Sequence, residues 1–122
     1  MYIFIRPLQT LLKNKKYNTI KKDIDMLTSK QRSNLRSLAQ KIDPITQVGK
    51  LGVNDALIES LDKAIEKREL IKVTVLENSE LMPKEAGQEI ADRLGAEFVC
   101  ATGRKLVFYR RSLNQKIEHI EF

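Results

Sequence analysis

The residues best suited to chemistry form the tetrapeptide Gly49-Lys50-Leu51-Gly52, here called the glycine loop, between an apolar run and an amphipathic segment. Glycine allows a backbone to turn sharply or to approach another molecule closely. A helix that begins just after such a turn directs its free N–H groups and the positive end of its dipole into the loop. This arrangement favours a bound phosphate, over which Lys50 would close. The same tetrapeptide also occurs in strand-to-helix turns that bind nothing, so the motif alone leaves both interpretations open.

Residues typical of enzymes and metal sites are sparse in this sequence. The only histidine, His119, lies close to the C-terminus, and the only cysteine, Cys100, lies in an apolar run typical of a buried strand. Neither a metal-ligand spacing nor the nucleotide-binding pattern G-x-x-x-x-G-K-[ST] occurs. We therefore expect no catalytic residue, no metal site and no cofactor.

The charge of the chain points weakly to an anionic partner. Lysine and arginine number 22 against 16 aspartates and glutamates, which gives a formal net charge of +6. Residues 1–25 carry much of this excess, with six basic side chains against two acidic ones. The remainder is only mildly basic, so binding would require its positive charges to gather on one surface.

Length and composition describe one ordinary globular domain. The 122 residues are enough to bury a hydrophobic core without covalent staples. A single cysteine cannot form an internal disulfide, and no apolar stretch approaches the roughly 18 residues that a membrane span needs. We therefore expect a cytoplasmic protein with no membrane partner.

Helical and strand patterns alternate around the glycine loop and must position it. Thr28 and Gln31 form a capping-box pattern before one amphipathic helix, and Asn54 is suited to cap another directly after the loop. Pro83 fits a first helical turn, and Gly95 fits a helix end. The predicted order is helix 29–42, strand 45–48, helix from 54, strand 70–76, helix 83–94, strand 97–101 and strand 106–110.

This order predicts a two-layer α/β fold with the sequence α-β-α-β-α-β-β. Helices between strands require crossover connections, and a final hairpin through residues 102–105 makes the sheet mixed. We expect four strands with helices packed mainly against one face. Residues 1–25 are expected to form a flexible basic extension. Residues 113–122 form a tail whose Leu113, Ile117 and Ile120, at roughly helical spacing, are expected to dock as a last turn.

Four segments together resemble one known family. They are Leu27-Thr28-Ser29-Lys30-Gln31-Arg32, Val48 with the glycine loop, Leu70-Ile71-Lys72-Val73, and Gly103-Arg104 followed by Leu106-Val107-Phe108-Tyr109-Arg110. Their order resembles the CRM domain (chloroplast RNA splicing and ribosome maturation), most closely its bacterial stand-alone form, the YhbY family, across residues 26–112. The resemblance implies a fold similar to the C-terminal domain of translation initiation factor three. It also implies a glycine loop similar to that of KH domains, where the backbone clamps nucleotide phosphates.

The function implied by this resemblance is RNA binding, and the implied partner is ribosomal RNA of large-subunit precursors. We expect a monomeric protein that is not an enzyme. The glycine loop would hold phosphates, while cations of the first helix and of the final hairpin would extend the positive surface. The candidate contacts are Gly49, Lys50, Leu51, Gly52, Lys30, Arg32, Arg36, Arg104 and Lys105. For each of these cations, a solvated side chain without a partner is the alternative interpretation.

A second functional class also fits the sequence. The chain would then be a ribosome-associated module that works through protein contacts, without direct RNA contact. Salt separates the two classes, because binding through Z phosphates of a single strand weakens with a log–log slope of about −0.7Z. A binding constant that did not change with salt concentration would favour the module that works through protein contacts.

Overall fold

Helices and strands alternate along the chain in the predicted order. The computed structural model describes residues 27–114 and 116–122, so the extension predicted over residues 1–25 lies outside the described residues. The elements are α1 (Ser29–Ala39), β1 (Thr46–Val48), α2 (Asp55–Arg68), β2 (Leu70–Val75), α3 (Pro83–Leu94), β3 (Glu97–Thr102) and β4 (Lys105–Tyr109).

The four strands form one mixed sheet in the order β1-β2-β4-β3. Because α2 carries the chain back across the sheet, β1 pairs in parallel with β2. Strand β4 is antiparallel to both β2 and β3, and Gly103, with a φ of 59°, turns the hairpin between β3 and β4. The predicted α/β class and mixed sheet are confirmed.

Helices pack against both faces of this sheet. Alternate residues of a strand point to opposite faces, and the buried residues accordingly divide into two clusters. The larger cluster joins Ile71, Val73 and Phe108 to the inner sides of α2 and α3. The smaller one joins Leu35 of α1 to Val107 on the other face. Two of the three helices among the described residues therefore share a face, and α1 covers part of the opposite one.

The first helix ends three residues earlier than predicted. Its capping box is present, since the Thr28 hydroxyl accepts from the Gln31 amide and the Thr28 amide donates to the Gln31 side chain, both at 3.0 Å. After Ala39 the chain tightens into i→i−3 hydrogen bonds, including one from the Ile42 amide to the Ala39 carbonyl at 3.2 Å. The proline at position 44 disfavours helical geometry at Asp43, so the helix does not resume after this tightened turn.

Two carboxylates hold the tail against the end of the sheet where β2 begins, an arrangement here called the carboxylate clasp. Glu69 is fully buried and accepts hydrogen bonds from the amides of Ser112 and Ile120, each at 2.7 Å. Its carboxylate also lies 2.6 Å from Nδ1 of His119. Glu66 accepts from the Leu113 amide at 2.6 Å. The tail docks as expected, since Ile120 and Phe122 pack against the smaller cluster, but its described residues form no helix.

Glu69 occupies a backbone conformation that usually selects glycine. It follows the last turn of α2 with a φ of 65°, and among the described residues it is the sole non-glycine residue with positive φ. Burial alone raises the pKa of its carboxyl group. The hydrogen bonds from His119 and from the Ser112 and Ile120 amides, with the charge of His119, outweigh burial and hold that pKa below its ordinary value. The clasp thus depends on an ionised side chain at a strained position.

Candidate nucleic-acid interface

The glycine loop is a tight, exposed turn between β1 and α2. The Gly52 amide donates to the Gly49 carbonyl at 3.0 Å, and Gly52 has a φ of 67°. The backbone at this position therefore requires glycine, whatever the loop binds. A Cβ placed on Gly52 would meet nothing within 4 Å, so the space beside the turn is open.

Gly49 differs from Gly52, because neither backbone nor packing requires glycine there. Its φ lies outside the positive region. A Cβ at this position would make ordinary contacts, 3.6 Å from Cδ1 of Leu76 and 3.9 Å from Oδ1 of Asn78. The protein alone would accept alanine at position 49, so a close approach by another molecule would account for the glycine.

The side chains between the two glycines project into solvent. Leu51 is 85% exposed, and Lys50 is exposed as well. Within the described residues, Lys50 takes part in no ion pair. The lysine is therefore available to an anion held at the turn.

The exit of the loop is fixed by an arginine that the sequence did not reveal. Asn54 caps α2 as predicted, accepting from the Leu57 amide at 2.8 Å. Arg93 of α3 donates to the Val53 carbonyl at 3.1 Å and forms an ion pair with the exposed Asp55. This arginine is almost 40 residues away along the chain, and no local pattern signals such a contact. It holds the start of α2 in place and neutralises the acidic side chain nearest the loop in sequence.

The final hairpin lies at the same end of the sheet as the glycine loop. The Leu76 amide donates to the Val48 carbonyl at 2.8 Å, and the Val75 amide donates to the Arg104 carbonyl at 2.7 Å. Nη1 of Arg104 also donates to the Leu76 carbonyl at 3.3 Å. Consecutive backbone contacts thus connect the residue before the loop to the predicted cations Arg104 and Lys105, both exposed. Two exposed acidic residues, Glu77 and Glu80, lie on the connection between β2 and α3 that passes beside them.

The cations predicted on α1 form a separate group. Lys30 and Arg36 are exposed, while Arg32 is half-buried. Nη1 of Arg32 donates to the carbonyls of Phe98 and Val99, at 2.7 and 3.0 Å, where the register of β3 against β4 shifts. Arg32 therefore satisfies backbone groups at this irregularity. No sequence signal marks the bulge, so helical spacing alone suggested that Arg32 and Arg36 share one role.

Other kinds of site find little support in the described residues. No group of three or more His, Cys, Asp or Glu side chains among them is arranged to hold a metal ion. None of the described helices combines the length and apolar character required to cross a membrane. His119, the only histidine of the chain, is engaged with Glu69 in the carboxylate clasp.

Comparisons with known proteins give one consistent result. The model of the CRS1 / YhbY (CRM) domain matches residues 27–110. The "Probable RNA-binding protein YqeI" of Bacillus subtilis is 42% identical over 91 residues, covering 75% of this chain and 95% of the relative. An "RNA-binding protein" of Haemophilus influenzae is 29% identical over 92 residues, covering 75% and 93% respectively.

A solved structure agrees with these sequence matches. The solution structure of the hypothetical protein SAV1595 from Staphylococcus aureus superposes with a TM-score of 0.58 at 44% sequence identity. The match covers 78% of this chain and all of the other. The likeness therefore extends to the fold that carries the glycine loop.

Proposed function

The chain belongs to the CRS1 / YhbY (CRM) domain family, and from that premise we propose that it binds RNA through phosphates held at the glycine loop. The relatives' names, which describe RNA-binding proteins, support this class of function over catalysis. The loop supplies an exposed turn, an available lysine and the start of a capped helix, a combination suited to an anionic oxygen.

Gly49 is the observation that carries this proposal. An alanine methyl group would fit against the protein at this position, so folding alone does not account for the glycine. A phosphate backbone lying against the turn does account for it, because a Cβ would occupy the space that the ligand needs. Gly52 adds to the same open surface but has its own conformational reason to be glycine.

The contact set that we propose centres on the loop end of the sheet. It contains Gly49, Lys50, Leu51, Gly52, Arg104 and Lys105. Lys30 and Arg36 of α1 add positive surface on a second side and would contact a longer RNA. Arg32 belongs to a different role, because its guanidinium satisfies the carbonyls of β3.

The biological setting is the second part of the proposal. A monomer acting in the cytoplasm on ribosomal RNA of large-subunit precursors fits the resemblance to the YhbY family. No catalytic step is included, since the one histidine serves the carboxylate clasp. The competing function is a ribosome-associated module that works through protein contacts alone.

The test is a pair of charge reversals, Lys50→Glu and Lys67→Glu. Both change the net charge equally, but Lys67 lies in the last turn of α2, at the opposite end of the helix from the loop. We expect Lys50→Glu to weaken binding to a fluorescein-labelled ribosomal RNA fragment about ten-fold, or about 1.4 kcal/mol. Lys67→Glu should change it less than two-fold. Fluorescence anisotropy at matched salt measures both.

Salt titration separates the proposed function from its competitor. Loss of one phosphate contact should reduce the log–log salt slope by about 0.7 to 0.9, depending on whether the RNA is single- or double-stranded. Equal weakening by both variants would indicate a general charge effect and contradict the loop as the contact. Binding to precursor particles without any salt dependence would favour protein contacts.

A further inference from the structure

One row of side chains crosses the whole sheet beside the glycine loop. Gln47 of β1 is opposite Thr74 of β2, Thr74 is opposite Lys105 of β4, and Lys105 is opposite Thr102 of β3. Directly opposed residues on neighbouring strands project to the same face. These four residues are all polar and are here called the polar row. Because neighbouring strands lie about 4.8 Å apart, the row is about 14 Å long from β1 to β3.

The polar row lies on the face that α1 covers only in part. Val48, Val75 and Leu106, which follow its members in sequence, belong to the larger cluster on the opposite face. Helix α1 and the tail pack instead over Val107 and Tyr109, farther along the sheet. Gln47, Lys105 and Thr102 are exposed and Thr74 is half-buried, so the row is open to solvent.

The chemistry of the row suits a ribose–phosphate backbone. Its amide, hydroxyl and ammonium groups donate and accept hydrogen bonds, and it contains no acidic side chain. Its first member lies two residues before Gly49, and its third directly follows Arg104. The outer surfaces of α2 and α3 differ, because they carry exposed glutamates at positions 59, 85 and 89.

No described residue of this surface is an aromatic that could stack on an unpaired base. Among the described residues, Phe98 stacks on Phe108 with centroids 5.5 Å apart, and Phe122 packs edge-on against Tyr109 at 4.7 Å. None of these four rings is exposed. Single-stranded RNA is usually recognised by stacking on exposed aromatics, whereas duplex RNA is recognised by its shape and through 2′-hydroxyl and phosphate groups across its wide, shallow minor groove.

We propose that the polar row holds the backbone of a base-paired RNA segment across its minor groove, while the glycine loop grips a phosphate at the edge of that segment. This inference rests on the proposed function and adds the class of RNA to it. In this arrangement the polar row forms hydrogen bonds with 2′-hydroxyl groups, and the ammonium group of Lys105 contacts a phosphate. Recognition then depends on the shape of the duplex and not on base sequence.

Three fluorescent probes at one salt concentration test this inference on the full chain. They are an RNA hairpin of about 16 base pairs, a DNA hairpin of matching sequence, and an unstructured single-stranded RNA of equal nucleotide count. We expect the RNA hairpin to bind about ten-fold more tightly than either other probe. A second RNA hairpin with a shuffled stem should bind as tightly as the first.

Variants at the two ends of the row locate the contact. Gln47→Glu and Thr102→Glu place negative charge there, and each should weaken hairpin binding about ten-fold. Ser60→Glu adds the same charge on the exposed surface of α2 and serves as the matched control, with binding unchanged. Thermal melts of all three variants test whether each remains folded.

The outcomes separate this inference from the proposed function. Equal or tighter binding of the single-stranded RNA, with sensitivity to Lys50→Glu retained, would overturn the duplex proposal and leave the glycine loop as an RNA contact. Unchanged hairpin binding by both row variants would show that the polar row does not contact the RNA. A protein that binds none of the RNA probes would contradict both proposals.

Discussion

The two ends of the sheet use charged residues in opposite ways. At the end where β2 begins, Glu69 of the carboxylate clasp is buried and makes three hydrogen-bonding contacts. Beside it, Arg110 is buried and bonded to Asp62, Glu66 and the Leu94 carbonyl. At the other end, Lys50 and Lys105 are exposed, and neither takes part in an ion pair with another described residue.

This difference shows which charges serve the fold and which are available to a ligand. A buried charge must be paired, because removing one partner leaves the other desolvated. An exposed charge contributes little to stability and is free to meet an anion. Substitutions at the clasp should therefore change the free energy of unfolding, whereas substitutions at the loop should change affinity.

The largest effect is expected for Glu69→Gln. The substitution removes the negative charge that holds His119 and the two tail amides. The free energy of unfolding should therefore fall by about 2–4 kcal/mol. Urea denaturation measures the change, and faster hydrogen exchange at the Ser112 and Ile120 amides reports release of the tail. Affinity for RNA, measured on the folded protein, should remain within two-fold. A loss of affinity without a loss of stability would show that Glu69 serves RNA binding and not the fold.

The same residue predicts a dependence of stability on acid. Since contacts in the fold lower the pKa of Glu69, its contribution is fully present above the ordinary glutamate pKa of the unfolded chain. That contribution is lost as the pH falls through the lowered pKa of the folded state. Thermal melts from neutral to acidic pH should show a smaller decline for Glu69→Gln than for the parent. Parallel declines would contradict the role of the ionised carboxylate.

Two arginines one turn apart on α1 should differ in how much they contribute to stability. Arg32→Ala removes two hydrogen bonds to the carbonyls of β3 and should cost about 1.5–3 kcal/mol of stability. Arg36→Ala removes an exposed charge in the last turn and should cost less than about 1 kcal/mol. Chemical denaturation of the two variants measures the difference. Equal costs would show that the bulge in β3 does not need its arginine.

The smallest effect on stability, paired with a clear effect on affinity, is expected for Gly49→Ala. The methyl group fits the folded protein and reduces the conformational freedom of the unfolded chain. The free energy of unfolding should therefore rise by about 0.4–1 kcal/mol. Affinity for RNA should nevertheless fall about ten-fold, because the Cβ lies where the backbone of the ligand approaches. Melting curves and fluorescence anisotropy on the same sample provide both readings. Gain of stability with full affinity would remove the main support for the proposed function.

Local signals in the sequence were sufficient for the order of elements. Caps such as Thr28 and Asn54, and the glycine that ends α3, act within a few residues and could be recognised directly. The glycine loop and its hairpin neighbours were predicted as one site, and the hydrogen bonds through Leu76 join them.

Long-range contacts could not be predicted in the same way. Arg93 supports the loop from α3, and Arg32 supports β3 from α1, yet nothing near either residue signals its partner. Glu69 is a further case, because a glutamate at a glycine-like backbone position makes sense only once the tail has folded back. The polar row required the strand register, which depends on pairings between distant parts of the chain.

The strand order has a consequence for how the protein is made. Strand β2 needs β4 as its antiparallel neighbour, yet α3 and β3 are synthesised between them. A nascent chain ending before β3 has only the parallel pair β1–β2 of the four-stranded sheet. Closing a pairing so distant in sequence is entropically costly and tends to make folding slow. The sheet that carries the glycine loop can therefore close only after β4 has been synthesised.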